Sequence, residues 1–305
     1  MSFFPATLLS LLFSAGFACA ETFRVATYNV ESYLDAPTQS RPAKSAEAKA
    51  QVRDNILALK PDVLALQEMG TVTALMELQD SLKRGGLQLP FWDHISGADT
   101  NIHLAILSRF PFNVRTPHTN DNFLLSGRRF RVSRGFAELD IQVTANFSFT
   151  LIAAHLKSRR PSPVADESEE RLEEAKLLRL HIDQRLNTAL ATRLIVLGDF
   201  NDTKDSAPIR AVIGRGKQKL LDTRPAERNG DPFPGASSSR EGRNVTWTHY
   251  YSKDDTYSRI DYILVSSDMA RQWVTNETWV LAAPNWGVAS DHRPIVATFE
   301  TGSDQ

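Results

Sequence analysis

Six short polar strings, spread along the chain, gather residues that can do acid–base or metal chemistry. They are Thr27-Tyr28-Asn29-Val30, Leu66-Gln67-Glu68, His155-Leu156-Lys157-Ser158, Gly198-Asp199-Phe200-Asn201-Asp202, Arg259-Ile260-Asp261-Tyr262 and Ser290-Asp291-His292-Arg293-Pro294. Four of them follow or overlap an apolar, β-prone run. Strand ends that all carry acids, amides or imidazoles point to one site built at one edge of a sheet pair. Oxygen donors with imidazoles and no thiol suit a hard divalent cation and phosphate chemistry.

Each string has a chemical reading and a plain one. Asp199 and Asn201 stand two apart at a strand end, so both side chains face the same side. A carboxylate and an amide there can hold a water and a phosphate oxygen together; the plain alternative is an Asx turn. Asp291 and His292 precede Pro294 in irregular backbone, where both side chains can turn inward. His292 can take a proton from water while Asp261 holds its other ring nitrogen, the pairing that fixes a tautomer. A lone histidine would favour a surface turn; the Asp-His-Arg-Pro string does not. Glu68 emerges from an apolar strand, which suits a metal ligand or a solvent-seeking strand-end charge. Asn29 fits a turn, and His155 either donates to a phosphate oxygen or sits half-buried.

These side chains need elements to position them. Phe23 to Tyr28 reads as a strand, and Ala46 to Leu59 as a helix with Val52, Ile56 and Leu59 on one face, stopped by Pro61. Val63 to Leu66 is a buried strand, Val72 to Leu82 a helix closed by Gly85-Gly86, and Leu104 to Leu107 a strand. Phe136 to Val143 and Phe147 to Ala154 read as an antiparallel pair. Glu167 to Leu186 is the clearest helix, with Leu172, Ala175, Leu178, Ile182 and Leu186 as its buried stripe and acids in its first turns. Strands follow at Leu194 to Leu197, Ile260 to Val265 and Ile295 to Phe299. Glu227 to Asn244 is rich in Gly, Pro, Ser and Arg and reads as a long surface loop. Helix-on-sheet recurs in both halves, with no linker between them. Two such halves packed sheet to sheet give a four-layer α/β sandwich: two mixed β-sheets flanked by helices.

Composition narrows the function. The chain has 305 residues and a formal net charge of -1, so no global field marks a nucleic-acid binder, and any grip on a polyanion must be local. Arg128, Arg129, Arg131 and Arg134, and Lys157 with Arg159 and Arg160, are local basic runs, most of them read as solvated faces. Phe91, Trp92, Trp247 and Tyr250 can stack on a base, although core packing is the commoner fate of aromatics. Residues 1–20 read as an export signal, with an apolar core from Leu8 to Phe17 and Ala18-Cys19-Ala20 before the cut, although no Lys or Arg precedes that core. Cleavage near Ala20 leaves 21–305 as a single catalytic domain without cysteine, since Cys19 is the only one, and rules out a thiol mechanism. A lipid-modified Cys19 is the lesser alternative. A secreted or periplasmic monomer with no stable membrane span is expected. His94, His103, His118, His181 and His249 show no partner at metal-ligand spacing, so no structural zinc site is expected. The chain has no Gly-x-Ser-x-Gly elbow and no Gly-rich phosphate loop with Lys.

With these strings in their order, the chain resembles the endonuclease/exonuclease/phosphatase superfamily, the deoxyribonuclease I-like proteins, over about residues 22–300. The resemblance implies the four-layer sandwich and a phosphoesterase using Mg²⁺, with Mn²⁺ or Ca²⁺ as alternatives. It implies metal-side roles for Asn29, Glu68 and Asp291, with Glu31 a weaker candidate. It implies that His155 steadies the phosphate, that Asp199 and Asn201 orient nucleophile and phosphate, and that His292 is the general base oriented by Asp261. The substrate is a phosphodiester: DNA or RNA in the leading reading, a phospholipid or small phosphodiester in the alternative. A non-catalytic binder of the same fold is the remaining alternative.

Overall fold

The computed structural model describes residues 21–188, 192–228 and 245–302. The segment read as an export signal and residues 229–244 of the Gly/Pro/Ser-rich stretch lie outside the described residues. In chain order the first half runs β1 (Thr22–Tyr33), α1 (Ala46–Leu59), β2 (Val63–Met69), α2 (Val72–Arg84), β3 (Phe91–Ile95), β4 (His103–Ser108), β5 (Phe112–His118), β6 (Asn122–Leu125), β7 (Arg128–Arg131), β8 (Phe136–Thr144) and β9 (Phe147–His155). The second half runs α3 (Glu167–Leu186), β10 (Leu194–Asp199), α4 (Ala207–Ile213), β11 (Leu221–Asp222), β12 (Ala226–Glu227), β13 (His249–Tyr251), β14 (Thr256–Ser258), β15 (Asp261–Val265), α5 (Ser267–Ala270), β16 (Trp273–Val280), α6 (Trp286–Ala289) and β17 (Ile295–Glu300).

The strands form a seven-stranded sheet in the order β12-β16-β17-β1-β2-β4-β3 and a six-stranded sheet in the order β11-β15-β10-β9-β8-β5, with β6-β7 and β13-β14 as separate hairpins. Both large sheets are mixed: β1 runs parallel to β2 and antiparallel to β17, and β10 parallel to β9 and antiparallel to β15.

The layering follows from the strand period of two. In β1, Phe23 and Val25 face the second sheet, where they meet Phe149, Leu151, Ile195 and Ile263 in one buried cluster. Ala26, Tyr28 and Val30 face the other way and pack under Val52 and Ile56 of α1 and Leu75 and Leu78 of α2. In the second sheet Ile152, Val196 and Leu264 turn outward to Ala175, Leu178 and Ile182 of α3 and Ile209 of α4. Helix, sheet, sheet and helix make the four layers, as expected.

Local chemistry sets the helix ends. The Ser45 hydroxyl caps α1 by accepting from Ala48 N at 3.1 Å, and Lys60 closes it in a left-handed conformation before Pro61. Asp166 caps α3, accepting from Ser168 N at 2.8 Å and Glu169 N at 3.1 Å. Ala175, Leu178 and Ile182 are buried as the periodicity predicts, while Leu172 and Leu186 are half-buried. The surprise on α3 is its buried charge at Glu170, Arg171, Glu174 and the neighbouring His181. These side chains tie down loops. Glu174 accepts from Ser133 N and Oγ, each at 2.8 Å, and from Lys157 N at 2.7 Å. Arg171 donates to Lys157 O at 3.1 Å and to Asp202 Oδ2 at 3.0 Å. The segments after His155 and Asn201 are therefore held by one helix.

Candidate active site

The same parity that builds the inter-sheet core builds the site. Asn29 continues the Phe23–Val25–Thr27 face of β1, His155 the Leu151–Ala153 face of β9, and Asp199 the Ile195–Leu197 face of β10; Asp261 stands on the Ile263–Val265 face of β15. Each is one step beyond the apolar run, so four polar side chains collect at one rim of the inter-sheet layer. The register aligns them: Asp199 lies opposite both His155 and Asp261. Gly198 makes this close approach feasible, because its φ is +135° and a Cβ would lie 1.9 Å from Ala154 O.

Asp199 is the hub. Its Oδ2 accepts from Asn29 Nδ2 at 3.0 Å and Asn201 Nδ2 at 3.3 Å, and its Oδ1 accepts from Asn201 N at 2.8 Å. The same Oδ2 lies 3.5 Å from His155 Nε2 and 3.7 Å from His292 Nε2. Burial, with Asp261 nearby, pushes the Asp199 carboxyl up to about 6, even though His292 and the two amides oppose that rise. Burial and the charges of Arg134, His292 and Arg41 hold the His155 imidazole well below its ordinary value, so His155 is neutral.

His292 Nδ1 lies 2.9 Å from Asp261 Oδ2. An ionised carboxylate only accepts, so Nδ1 carries the proton and Nε2 is left facing Asp199 and, at 3.9 Å, Asp291 Oδ1. Burial disfavours charge on this ring, but Asp261, Asp199 and Asp291 outweigh it and raise His292 well above an ordinary imidazole. Backbone geometry aims the ring. Ser290 Oγ accepts from His292 N at 3.0 Å and donates to Asn29 O at 2.8 Å, which ties the His292 loop to β1. Arg293 lies 3.3 Å over the Trp247 ring and pairs with Glu227, so the residue after His292 is scaffold.

The acids on the β1–β2 side form a second group. Glu68 Oε2 accepts from Ser32 N at 3.1 Å, Ser32 Oγ at 3.0 Å and Arg41 Nη1 at 3.3 Å. Glu31 Oε2 accepts from Asp291 N at 3.1 Å, and Asn29 Oδ1 accepts from Glu31 N at 3.0 Å. Burial first, and then the charges of Asp291 and Glu68, raise the Glu31 carboxyl. Glu31, Ser32, Glu68 and Asn201 all have positive φ, at 44°, 54°, 61° and 54°. Four left-handed non-glycine residues in one place mark backbone held against its preference.

Asn29, Glu68, His155, Asp199, Asn201, Asp291 and His292 line one cleft of about 790 Å³, while Asp261 lies behind His292. The structure thus brings all eight predicted side chains to one place. Their grouping differs from the sequence reading in one respect. At the cleft, the acids and imidazoles that approach within 4.8 Å of one another are Asp199, Asp261 and His292, and also His249, Asp291 and His292; Glu68 stands apart beside Arg41.

Sequence reasoning missed His249 and Arg41, and gave Ser290 no role of its own. His249, expected to lack a partner, lies 3.6 Å from Asp291 Oδ2, with its ring 4.6 Å from that of His292. It sits on a three-residue strand, too short to show a period. Thr248 beside it accepts from Ile260 N and Asp261 N at 3.1 and 3.2 Å, so the β13–β14 hairpin also braces Asp261. Of the basic runs, Arg159 and Arg160 line the cleft, joined by Lys253 and Tyr251 from the hairpin. Arg128, Arg129 and Arg131 are exposed on β7, and Arg134 is buried behind His155.

Comparison with known proteins matches this arrangement. The sequence fits the Endonuclease/Exonuclease/phosphatase family over residues 26–292, and the chain belongs to that family, whose members hydrolyse phosphoric esters and use divalent metals. The structure superposes on sphingomyelinase C from Streptomyces griseocarneus at 16% identity and a TM-score of 0.61, covering 92% of this chain and 99% of that one. The catalytic domain of human nocturnin with bound sulfate gives 17% identity and a TM-score of 0.60, covering 92% and 97%. Truncated Caenorhabditis elegans TDP2 gives 16% and 0.59, covering 91% and 97%. These likenesses establish the deoxyribonuclease I-like fold. No curated protein sequence matches significantly.

Proposed function

We propose that the protein is an exported, divalent-metal-dependent phosphodiesterase that cleaves nucleic acid by attack of water on phosphorus. The observation that carries the reading is the Asp261–His292 pair, aimed with Nε2 toward Asp199 inside a polar cleft. Asp261 fixes the tautomer, and His292 Nε2 takes the proton from water. Asp199 and Asn201 orient that water and the phosphate. Asn29 and the neutral His155 offer hydrogen bonds to non-bridging oxygens without adding charge.

The donor set fits a hard cation. Burial and the neighbouring Asp291 and Glu68 raise the Glu31 carboxyl, although Lys44 opposes that rise, and Arg41 pairs with Glu68. Asn29, Glu68 and Asp291 would hold Mg²⁺ there, with Mn²⁺ or Ca²⁺ as alternatives. When bound, the ion supplies charge neutralisation at the phosphate and leaving oxygen.

Arg159, Arg160 and Lys253 on the rim favour a substrate with further phosphates beside the scissile one, which supports DNA or RNA. A phospholipid is the second reading, favoured by the exposed Tyr251 and Tyr257 of the β13–β14 hairpin. The tip between those strands, Ser252-Lys253-Asp254-Asp255, is too polar to enter a bilayer. Among the described residues no helix is long and apolar enough to cross a membrane. We take the protein to act as a monomer.

The test is turnover of bis-p-nitrophenyl phosphate, DNA, RNA and sphingomyelin vesicles in saturating Mg²⁺. Cleavage of the small diester with DNA or RNA is expected. Turnover of sphingomyelin alone would replace the nuclease reading, and turnover of none would leave only a binding protein. For export, intact-mass measurement of the secreted chain should give Glu21 as its first residue. An acylated Cys19 would instead show a lipoprotein.

A further inference from the structure

We propose that His118, Asp121 and His181 form a second metal site, for a borderline transition ion such as Zn²⁺, which fastens the β6–β7 hairpin to the fold. The three donors come from separate places: His118 ends β5, Asp121 lies in the three-residue loop before β6, and His181 is on α3. Their ligand atoms lie within 4.8 Å of one another, and the group shares no residue with the cleft. Two imidazoles and a carboxylate are a zinc-type donor set, unlike the oxygen donors of the cleft.

The surroundings favour an ion over a plain hydrogen-bond cluster. His181 Nε2 lies 2.6 Å from Asp121 Oδ2, and His118 Nε2 lies 2.8 Å from Glu138 Oε2. The two rings are stacked with centroids 3.7 Å apart. Asp121, Glu138 and Asp140 gather here against one guanidinium, Arg185, which pairs with Glu138 and Asp140. Arg131 reaches the loop only through Thr119 O and Asn120 Oδ1. One divalent ion here would offset that surplus of acidic over basic groups. Independently, His181 is buried and its Nδ1 has no hydrogen-bond partner. A buried ring nitrogen with no partner is a donor open to an ion.

The placement gives the site a consequence. His118 lies opposite Phe136, and Phe136 opposite Ala154, the residue before His155, so the site is two strands, ~10 Å, from the catalytic rim. Gly135 has φ +69° and a Cβ there would lie 2.8 Å from His118 O, so the strand and the ligand loop are in direct backbone contact. Val132 N donates to Asp121 O at 2.9 Å at the hairpin root. An ion here would fix how the hairpin, with its exposed Arg128, Arg129 and Arg131, stands against α3.

The experiment is a Zn²⁺ equilibrium dialysis of the full chain, stripped of metal and held in excess Mg²⁺, with Co²⁺ absorption as the coordination readout. Wild type should retain one equivalent that Mg²⁺ does not displace, with visible Co²⁺ bands. His118→Gln should lose that equivalent and the bands, while His249→Ala should keep both. Zn²⁺ should raise the melting midpoint of wild type and leave that of His118→Gln unmoved. Circular dichroism reads folding, and Asp121→Asn, in a surface loop, gives a second reading if His118→Gln fails to fold; it should bind at least tenfold more weakly. No retained equivalent in wild type, or loss on His249→Ala but not on His118→Gln, would overturn the site.

Discussion

Replacing His292 by alanine is expected to lower turnover by roughly 10²–10⁴-fold, the usual worth of a positioned proton acceptor. The imidazole is oriented for that role: Nδ1 is committed to Asp261 at 2.9 Å, and Nε2 faces the acids. The same change leaves Asp261 buried with no ring to meet it, and its Oδ1 already lacks a partner, so stability should also fall by ~1–3 kcal/mol. Rates measured well below the melting transition separate the two effects. Asp261→Asn should cost less and should show in the pH profile. In the proposed mechanism the neutral ring is the active form, and neighbouring carboxylates raise His292, so activity should be lost as pH falls through that raised value. Removing the Asp261 charge lowers it, and the acid limb should move to lower pH. Near-wild-type turnover in His292→Ala, or a limb that moves upward in Asp261→Asn, would remove His292 from the role of base.

The layers and the site rim are legible in the sequence for a common reason. Buried strands such as Val63 to Leu66 and Leu194 to Leu197 are apolar, and one parity step beyond either end of such a run the side chain must leave the core at its edge. Asn29, His155, Asp199 and Asp261 obey that rule, so their convergence is readable without coordinates. Edge strands are not readable in this way. Phe91–Ile95 and Phe112–His118 border their sheets, are largely solvated, and in the second case include Pro117, which an edge tolerates and a centre does not. Trp273–Val280 is broken by a register shift between Val274 and Thr278, which erases its alternation. His249 and His118 were out of reach because Asp291 and His181 come from distant parts of the chain. The buried charges of α3 violate the stripe that identifies the helix, yet they hold the segments after His155 and Asn201. The two-residue strands and the hairpins carry no pattern long enough to count.

Exhaustive chelation is expected to abolish turnover, and added Mg²⁺ to restore it. Glu31 and Asp199 are both pushed above the ordinary carboxylate range by burial and by neighbouring acids, a cost that a cation relieves. Glu68 is the residue whose contribution can be isolated. Its carboxylate is held by Ser32 and Arg41 without being shut in, and it lines the cleft. Glu68→Gln keeps the shape and removes the charge, so the Mg²⁺ concentration for half-maximal rate should rise at least about tenfold, ~1.4 kcal/mol of ion binding. The melting temperature should move little, because Glu68 is partly exposed and its pairing with Arg41 is the kind worth about 1 kcal/mol or less. A titration of rate against Mg²⁺ beside a thermal melt reads both. An unchanged Mg²⁺ requirement would make Glu68 only the partner that positions Arg41 and Ser32, and would move the ion toward Asp199 and Asp291. Full activity after chelation would leave His292 and the amide clamp to do the chemistry alone.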